Sequence, residues 1–155
     1  MATRSAGILL YRAAASGFEV FVAHMGGPFW AGKLEHAWSI PKGEFEGDER
    51  ALEVALREFG EEIGVPAPEL DYQLLGEFRM SSGKVVTVFT ASGDDTIAFV
   101  GSNDFELEWP PRSGRMQRFP EMDDARWASL EEASTLLVKG QLPILSALRQ
   151  RLTAT

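Results

Sequence analysis

The chain contains no cysteine among its 155 residues. Disulfides, thiol nucleophiles and cysteine-held zinc or iron–sulfur centres are therefore excluded. It also lacks a long apolar run, since nothing approaches the roughly 18 residues of a membrane span. Its opening, Met1 to Gly7, runs straight into a strand-like segment and lacks the shape of a signal peptide. A cytoplasmic protein without a membrane partner is expected. Positive charge is in short supply. There are 15 Lys and Arg against 23 Asp and Glu, a net charge of −8. A nonspecific nucleic-acid binder normally carries a basic surface, so no stable nucleic-acid complex is expected. Histidine is scarce too. His24 and His36 have no partner at i+4, and both read as loop residues rather than ligands.

What is present is an ordinary globular composition, 45% hydrophobic and 25% charged. The length suits one domain over residues 1–155, as a monomer or homodimer. Ala6 to Tyr11 and Phe18 to Ala23 read as strands of a hairpin. His24 to Ala37 is glycine-bearing and loop-like, and Trp38 to Ile40 is a short strand stopped by Pro41. From Asp48 to Ile63, Leu52, Ala55, Leu56, Phe59 and Ile63 recur at helical spacing. Asp48 is placed to cap that helix and Gly64 to end it. Strands are expected at Gln73 to Met80, Val85 to Ala91, Phe105 to Trp109 and Ala125 to Ala128. The polar stretch after Ser92 and the span Pro110 to Pro120 read as irregular. Ser129 and Glu132 form a capping box for a C-terminal helix, and a last helix covers Ile144 to Leu152. One mixed sheet with helices on its faces fits this α/β order.

The segment Gly43 to Val65 carries the chemistry. Glu58, Glu61 and Glu62 stand at i, i+3 and i+4, so a helix brings their carboxylates to one face. A solvated acidic face is the plainer reading of such a charge run. Two features count against it. Gly43 opens a loop just ahead of the helix, and Glu49, Glu53, Arg57 and Glu61 form an i, i+4 ladder. Arg57 is placed to bridge Glu53 and Glu61 and so hold the acids in shape. Mg²⁺ takes oxygen ligands and keeps several waters, and carboxylates one turn apart supply such a site. Mn²⁺ is a possible substitute.

These residues also form a recognisable pattern. Gly43, five residues, Glu49, seven residues and then Arg57-Glu58-Phe59-Gly60-Glu61-Glu62-Ile63-Gly64-Val65 resembles the complete signature of the Nudix hydrolases. A chance match at a given start is on the order of 10⁻⁹ from average residue usage. The resemblance implies a Nudix-type α/β/α sandwich with a mixed β-sheet and the family's loop-helix. It implies Glu58 and Glu62 as metal ligands, Glu61 as a ligand or supporting acid, and the Gly43 carbonyl in the metal shell. Arg57 and Glu49 would orient the glutamates, with Arg57 counted among the catalytic set. Gly64 would be structural. A further carboxylate from outside the signature is expected, and Glu121 is the choice, with Glu106 and Glu108 as rivals. A solvated acid beside Asp123 and Asp124 is the alternative for Glu121. The implied reaction is Mg²⁺-dependent hydrolysis of a phosphoanhydride, with Glu58, Glu61 or Glu121 as base.

The implied substrate is a nucleoside diphosphate linked to another group. Trp38-Ser39-Ile40-Pro41-Lys42-Gly43 is similar to the WxxPKG opening of the diadenosine-polyphosphate and diphosphoinositol branches. That favours a (di)nucleoside polyphosphate or nucleoside triphosphate. Lys42 is a candidate phosphate contact as a point charge. Arg112, Arg115 and Arg118 are candidates for outer phosphates, with solvated side chains as the alternative. Phe29 and Trp30 in the stretch Gly26-Gly27-Pro28-Phe29-Trp30, with Trp38 and Trp109, are candidates for stacking a base, with core or loop packing as the alternative. A non-catalytic nucleotide-sensing or metabolite-sensing domain on the same fold is the competing reading.

Overall fold

The computed structural model describes residues 3–15, 17–93 and 97–154. The polar stretch after Ser92 falls partly on 94–96, outside the described residues. Strands β1 (Arg4–Ala14) and β2 (Gly17–Met25) form the expected hairpin, with Ala14 opposite Gly17. Their apolar residues alternate at the period of a strand buried on both faces. Ala6, Ile8 and Leu10 of β1 and Phe21 and Ala23 of β2 face one core; Leu9, Val20 and Val22 face the other. β3 (Trp38–Ser39) pairs with β2, and β4 (Lys42–Phe45) pairs antiparallel with β1. After helix α1 (Ala51–Ile63) come β5 (Gln73–Arg79) and β6 (Val85–Ser92). β6 runs parallel to β1, so the sheet is mixed, in the order β3-β2-β1-β6-β5.

β7 (Asp104–Glu108) and β8 (Met116–Pro120) form a separate two-stranded ribbon. β9 (Met122–Ser129) returns to the main sheet along β2. Helices α2 (Leu130–Leu136) and α3 (Leu142–Thr153) cover one face of the sheet and α1 covers the other. The result is the expected α/β/α sandwich. The capping box also forms: Ser129 Oγ accepts from the Glu132 N–H at 3.0 Å, and the Glu132 carboxylate accepts from the Ser129 N–H at 3.1 Å. No described helix is long and apolar enough to cross a membrane.

Four expectations are corrected. α1 starts at Ala51 after Arg50, without a side-chain cap, so Asp48 does not cap it. β4 was not expected, because Pro41 interrupts the run and Phe45 is the only buried side chain in it. β8 lies where the chain read as irregular. Of its five residues only Phe119 is even half-buried, so it leaves no alternating signal. His24 belongs to β2 and is buried, with Nδ1 2.6 Å from Asp123 and Nε2 2.7 Å from the Lys33 carbonyl. Neither contact could be read from an isolated histidine.

Candidate functional site

α1 owes its position to its inward face. Val54, Ala55, Phe59 and Ile63 are buried against β1 and β2, the large ones contributing roughly 1.5–3 kcal/mol each. Gly64 ends the helix in left-handed conformation (φ 89°), and its N–H donates to the Gly60 carbonyl at 2.9 Å. Downstream backbone supplies donors to the freed carbonyls of the last turn. Val100 N–H donates to Ile63 O at 2.9 Å and Asn103 N–H to Glu61 O at 2.9 Å.

The same packing places the glutamates. Glu62 is 5% exposed, and its Oε1 accepts from the backbone N–H of Lys42 at 3.1 Å. Glu58 lies across Gly43: a Cβ built on Gly43 would overlap the Glu58 carboxyl group. Only glycine lets the carboxylate rest against this strand. Glu61 faces Glu58, and its negative charge acts on the Glu58 carboxyl group. Glu121, at the turn between β8 and β9, faces the same cluster: its charge acts on both Glu58 and Glu62, and Glu61 acts on it. A chain of backbone hydrogen bonds holds it there. Glu121 N–H donates to Asn103 O at 2.9 Å, and Gly26 N–H donates to Glu121 O at 2.8 Å. The rivals are engaged elsewhere. Glu106 pairs with Arg118 at 3.7 Å, and Glu108 accepts from the N–H groups of Arg112 and Gly114 at 3.3 and 3.0 Å.

Four carboxylates thus crowd one end of a helix whose last turn has no basic residue and whose dipole is negative there. Burial, then Glu61, pushes the Glu58 carboxyl up to about 7. Burial pushes Glu62 up to about 8 despite the Lys42 N–H and the Lys42 charge. Burial, then Glu61, raises Glu121 as well. This crowding of hard oxygen donors suits a divalent cation. Among the described residues, no three acidic or imidazole side chains are gathered closely enough to hold a metal ion as they stand.

A pH dependence follows. In the folded chain Glu58 and Glu62 hold protons up to about 7 and 8, whereas in the unfolded chain they release them near 4.5. The folded state therefore binds more protons between these limits, and metal-free stability falls as pH rises from about 5 to 8. Added Mg²⁺ should offset the fall, because the cation takes the place of the protons. Thermal melts across that range, with and without Mg²⁺, check this. A metal-free melting temperature that climbs steadily with pH contradicts it.

Other expected residues are placed as follows. Arg57 pairs with Glu49 at 3.1 Å and approaches Glu58 at 4.0 Å. It does not bridge Glu53 and Glu61 as the ladder suggested, because the loop before α1 brings Glu49 closer. Lys42 meets the cluster through its backbone N–H. Burial and then Lys84 lower its side-chain pKa. Trp38 is 3% exposed, its ring packed edge-on to His24 and under the Arg126 guanidinium, so it offers no face for a base. Trp30 also packs against the core, partly buried. Arg112 and Arg115 stand exposed beyond β7 and before β8, without an acidic side-chain partner among the described residues. Sequence reasoning missed Asn103, whose backbone joins Glu61 to Glu121. Phe29, one of the stacking candidates, has its ring packed on Trp109 at 5.5 Å. A cavity of about 1100 Å³ lies on another face of α1 between Leu52, Leu56, Gly60 and the 64–72 loop. None of Glu58, Glu61, Glu62 and Glu121 lines it.

The sequence matches the NUDIX domain family over residues 1–148. No curated protein sequence matches the chain. Among solved structures, the NUDIX domain of Shewanella oneidensis NrtR complexed with ADP ribose is 19% identical. It covers 99% of this chain and 90% of its own, with a TM-score of 0.63. A Caenorhabditis elegans Ap4A hydrolase binary complex is 19% identical, covers 99% of both chains and has a TM-score of 0.63. A MutT structure, described for Aliivibrio salmonicida and Vibrio cholerae, is 16% identical, covers 96% of this chain and 97% of its own, and has a TM-score of 0.57.

Proposed function

The chain belongs to the NUDIX domain family, and from that premise we propose that it is a Mg²⁺-dependent pyrophosphohydrolase acting on a (di)nucleoside polyphosphate. The observation that carries this reading is the carboxylate cluster itself. Glu58, Glu61, Glu62 and Glu121 converge at one helix end, and the backbone of Gly43 and Lys42 shapes their floor. Glu58 and Glu62 would hold the cation, with Glu61, Glu121 and the Gly43 carbonyl beside them. When bound, the cation supplies charge neutralisation for phosphate oxygens and acidifies a coordinated water. The protein's own groups do the rest. The Lys42 N–H fixes the orientation of Glu62, and Arg57 holds the Glu49 side of the loop-helix junction. Glu58, Glu61 and Glu121 are the carboxylates able to take the proton of an attacking water. Lys42 is the cation beside the cluster available to the remaining phosphate charge, and Arg112 and Arg115, out on the hairpin, are available only to outer phosphates.

A nucleotide substrate agrees with the neighbours, one named an Ap4A hydrolase and one holding ADP ribose. The competing reading, a nucleotide-sensing domain, draws on NrtR, which has also been solved with a 27mer DNA. One assay separates the two. Diadenosine tetraphosphate, deoxynucleoside triphosphates and ADP-ribose are incubated with the protein, with and without Mg²⁺. Metal-dependent release of nucleotide from a polyphosphate is expected. Calorimetric binding without turnover of any of them would favour the sensing domain.

A further inference from the structure

Resting on the hydrolase reading, we propose that the β7–β8 hairpin and the loop after β2 form a recognition arm for long substrates. In this arm Phe29 and Trp109 take the base distal to the cleaved anhydride, and Arg112 and Arg115 hold the phosphates between. The arm begins at the acidic site. Gly26 donates to the carbonyl of Glu121, and Gly27 lies so close to Phe105 that a Cβ would come within 2.9 Å of its ring. From there the loop and the hairpin run together until Phe29 meets Trp109, edge to face, at 5.5 Å.

That pair is an exposed corner rather than a core. Phe29 is 59% exposed, and Trp109 is half-buried. An edge-to-face pair leaves ring faces free for a third flat group. The Trp109 backbone is held from both sides. Its N–H donates to Arg115 O at 2.9 Å, and its carbonyl accepts from the Gln117 side chain at 2.5 Å. The turn beyond it is tied down by the Glu108 carboxylate, which accepts from Arg112 N–H and Gly114 N–H. Arg112 itself sits at φ 64°, a left-handed conformation that glycine adopts without strain. Arginine is kept there at a backbone cost.

Charge points the same way. On a chain of net charge −8, two of the hairpin's three acids are engaged within it, Glu106 by Arg118 and Glu108 by the turn. Arg112 and Arg115 are left as exposed guanidiniums suited to bidentate phosphate contacts. The two segments bound the reach of the arm. Phe29 lies three residues from Gly26, at most about 11 Å of extended chain from the Glu121 carbonyl contact. Trp109 lies across from Arg115, six residues up the strand from Glu121, about 20 Å of strand. A base on this corner lies out along the ribbon from the acids, and Arg112 and Arg115 stand on the same stretch to hold phosphates in between.

The test compares KM and kcat for diadenosine tetraphosphate with those for the shortest panel substrate turned over, ADP-ribose or a triphosphate. Phe29→Ala, Trp109→Ala and the double variant Arg112→Gln/Arg115→Gln are each expected to raise KM for the tetraphosphate at least about tenfold. KM for the short substrate should rise less than about threefold, and kcat should change little. Trp109→Phe should recover most of the loss. Leu34→Ala, an exposed change on the same loop, should leave the tetraphosphate KM within about twofold. Phe29→Ala keeps the test decisive if the Trp109 variant disturbs the hairpin. Equal KM changes for both substrates, or none, overturn the inference and leave the hydrolase reading standing. No turnover by the wild-type protein overturns both.

Discussion

Glu62→Gln is expected to lower kcat by at least about a hundredfold while leaving the metal-free fold intact. Loss of a residue that merely orients a metal ligand typically costs 10–100-fold, so loss of a proposed ligand's charge belongs at or beyond that limit. The fold should survive, because the amide has nearly the carboxyl's shape and its oxygen still accepts from the Lys42 N–H. The change also removes a group that burial holds protonated up to about 8, so the metal-free protein should lose less stability with rising pH. Steady-state kinetics, together with melts with and without Mg²⁺, check both halves. Wild-type kcat, or undiminished Mg²⁺ stabilisation, contradicts the assignment.

Gly43→Ala should separate stability from activity in the opposite way from a core substitution. The three atoms nearest the new methyl all belong to the Glu58 carboxyl group, the free end of a flexible side chain. That end can swing aside, so the melting temperature should stay within a few degrees. Swinging aside removes a carboxylate from the cluster, and turnover should fall by roughly tenfold or more, with a raised Mg²⁺ requirement. Phe59→Ala makes the contrast, since emptying a fully buried ring site costs about 3–5 kcal/mol whatever the metal does. If Gly43→Ala proves as destabilising as Phe59→Ala, the carboxylate is not the group that yields.

The comparison with the sequence turns on range of interaction. The α1 acids, the Gly64 stop and the α2 capping box were legible because each is written within one or two helical turns. Strand alternation in β1 and β2 was legible because both faces of the sheet are buried. What escaped depends on partners far along the chain. The service of Gly43 to Glu58 spans 15 residues and that of Asn103 to Glu61 spans 42. Glu121 was chosen by resemblance to a family, not by any local pattern. Trp38 was misread because its surroundings come from His24 and Arg126, on two strands that no local window joins. β8 was invisible because an exposed two-stranded ribbon imposes no apolar alternation.

The relay from Glu61 through Asn103 and Glu121 to Gly26 consists of main-chain groups only. Side chains on the hairpin and on the loop after β2 are therefore replaceable without rewriting the bonds that position the acids. Chemistry and selectivity sit on opposite ends of one backbone splice. A chimera that exchanges everything between Asp104 and Pro120 for another hairpin of matching ends should keep the carboxylate cluster and change what reaches it.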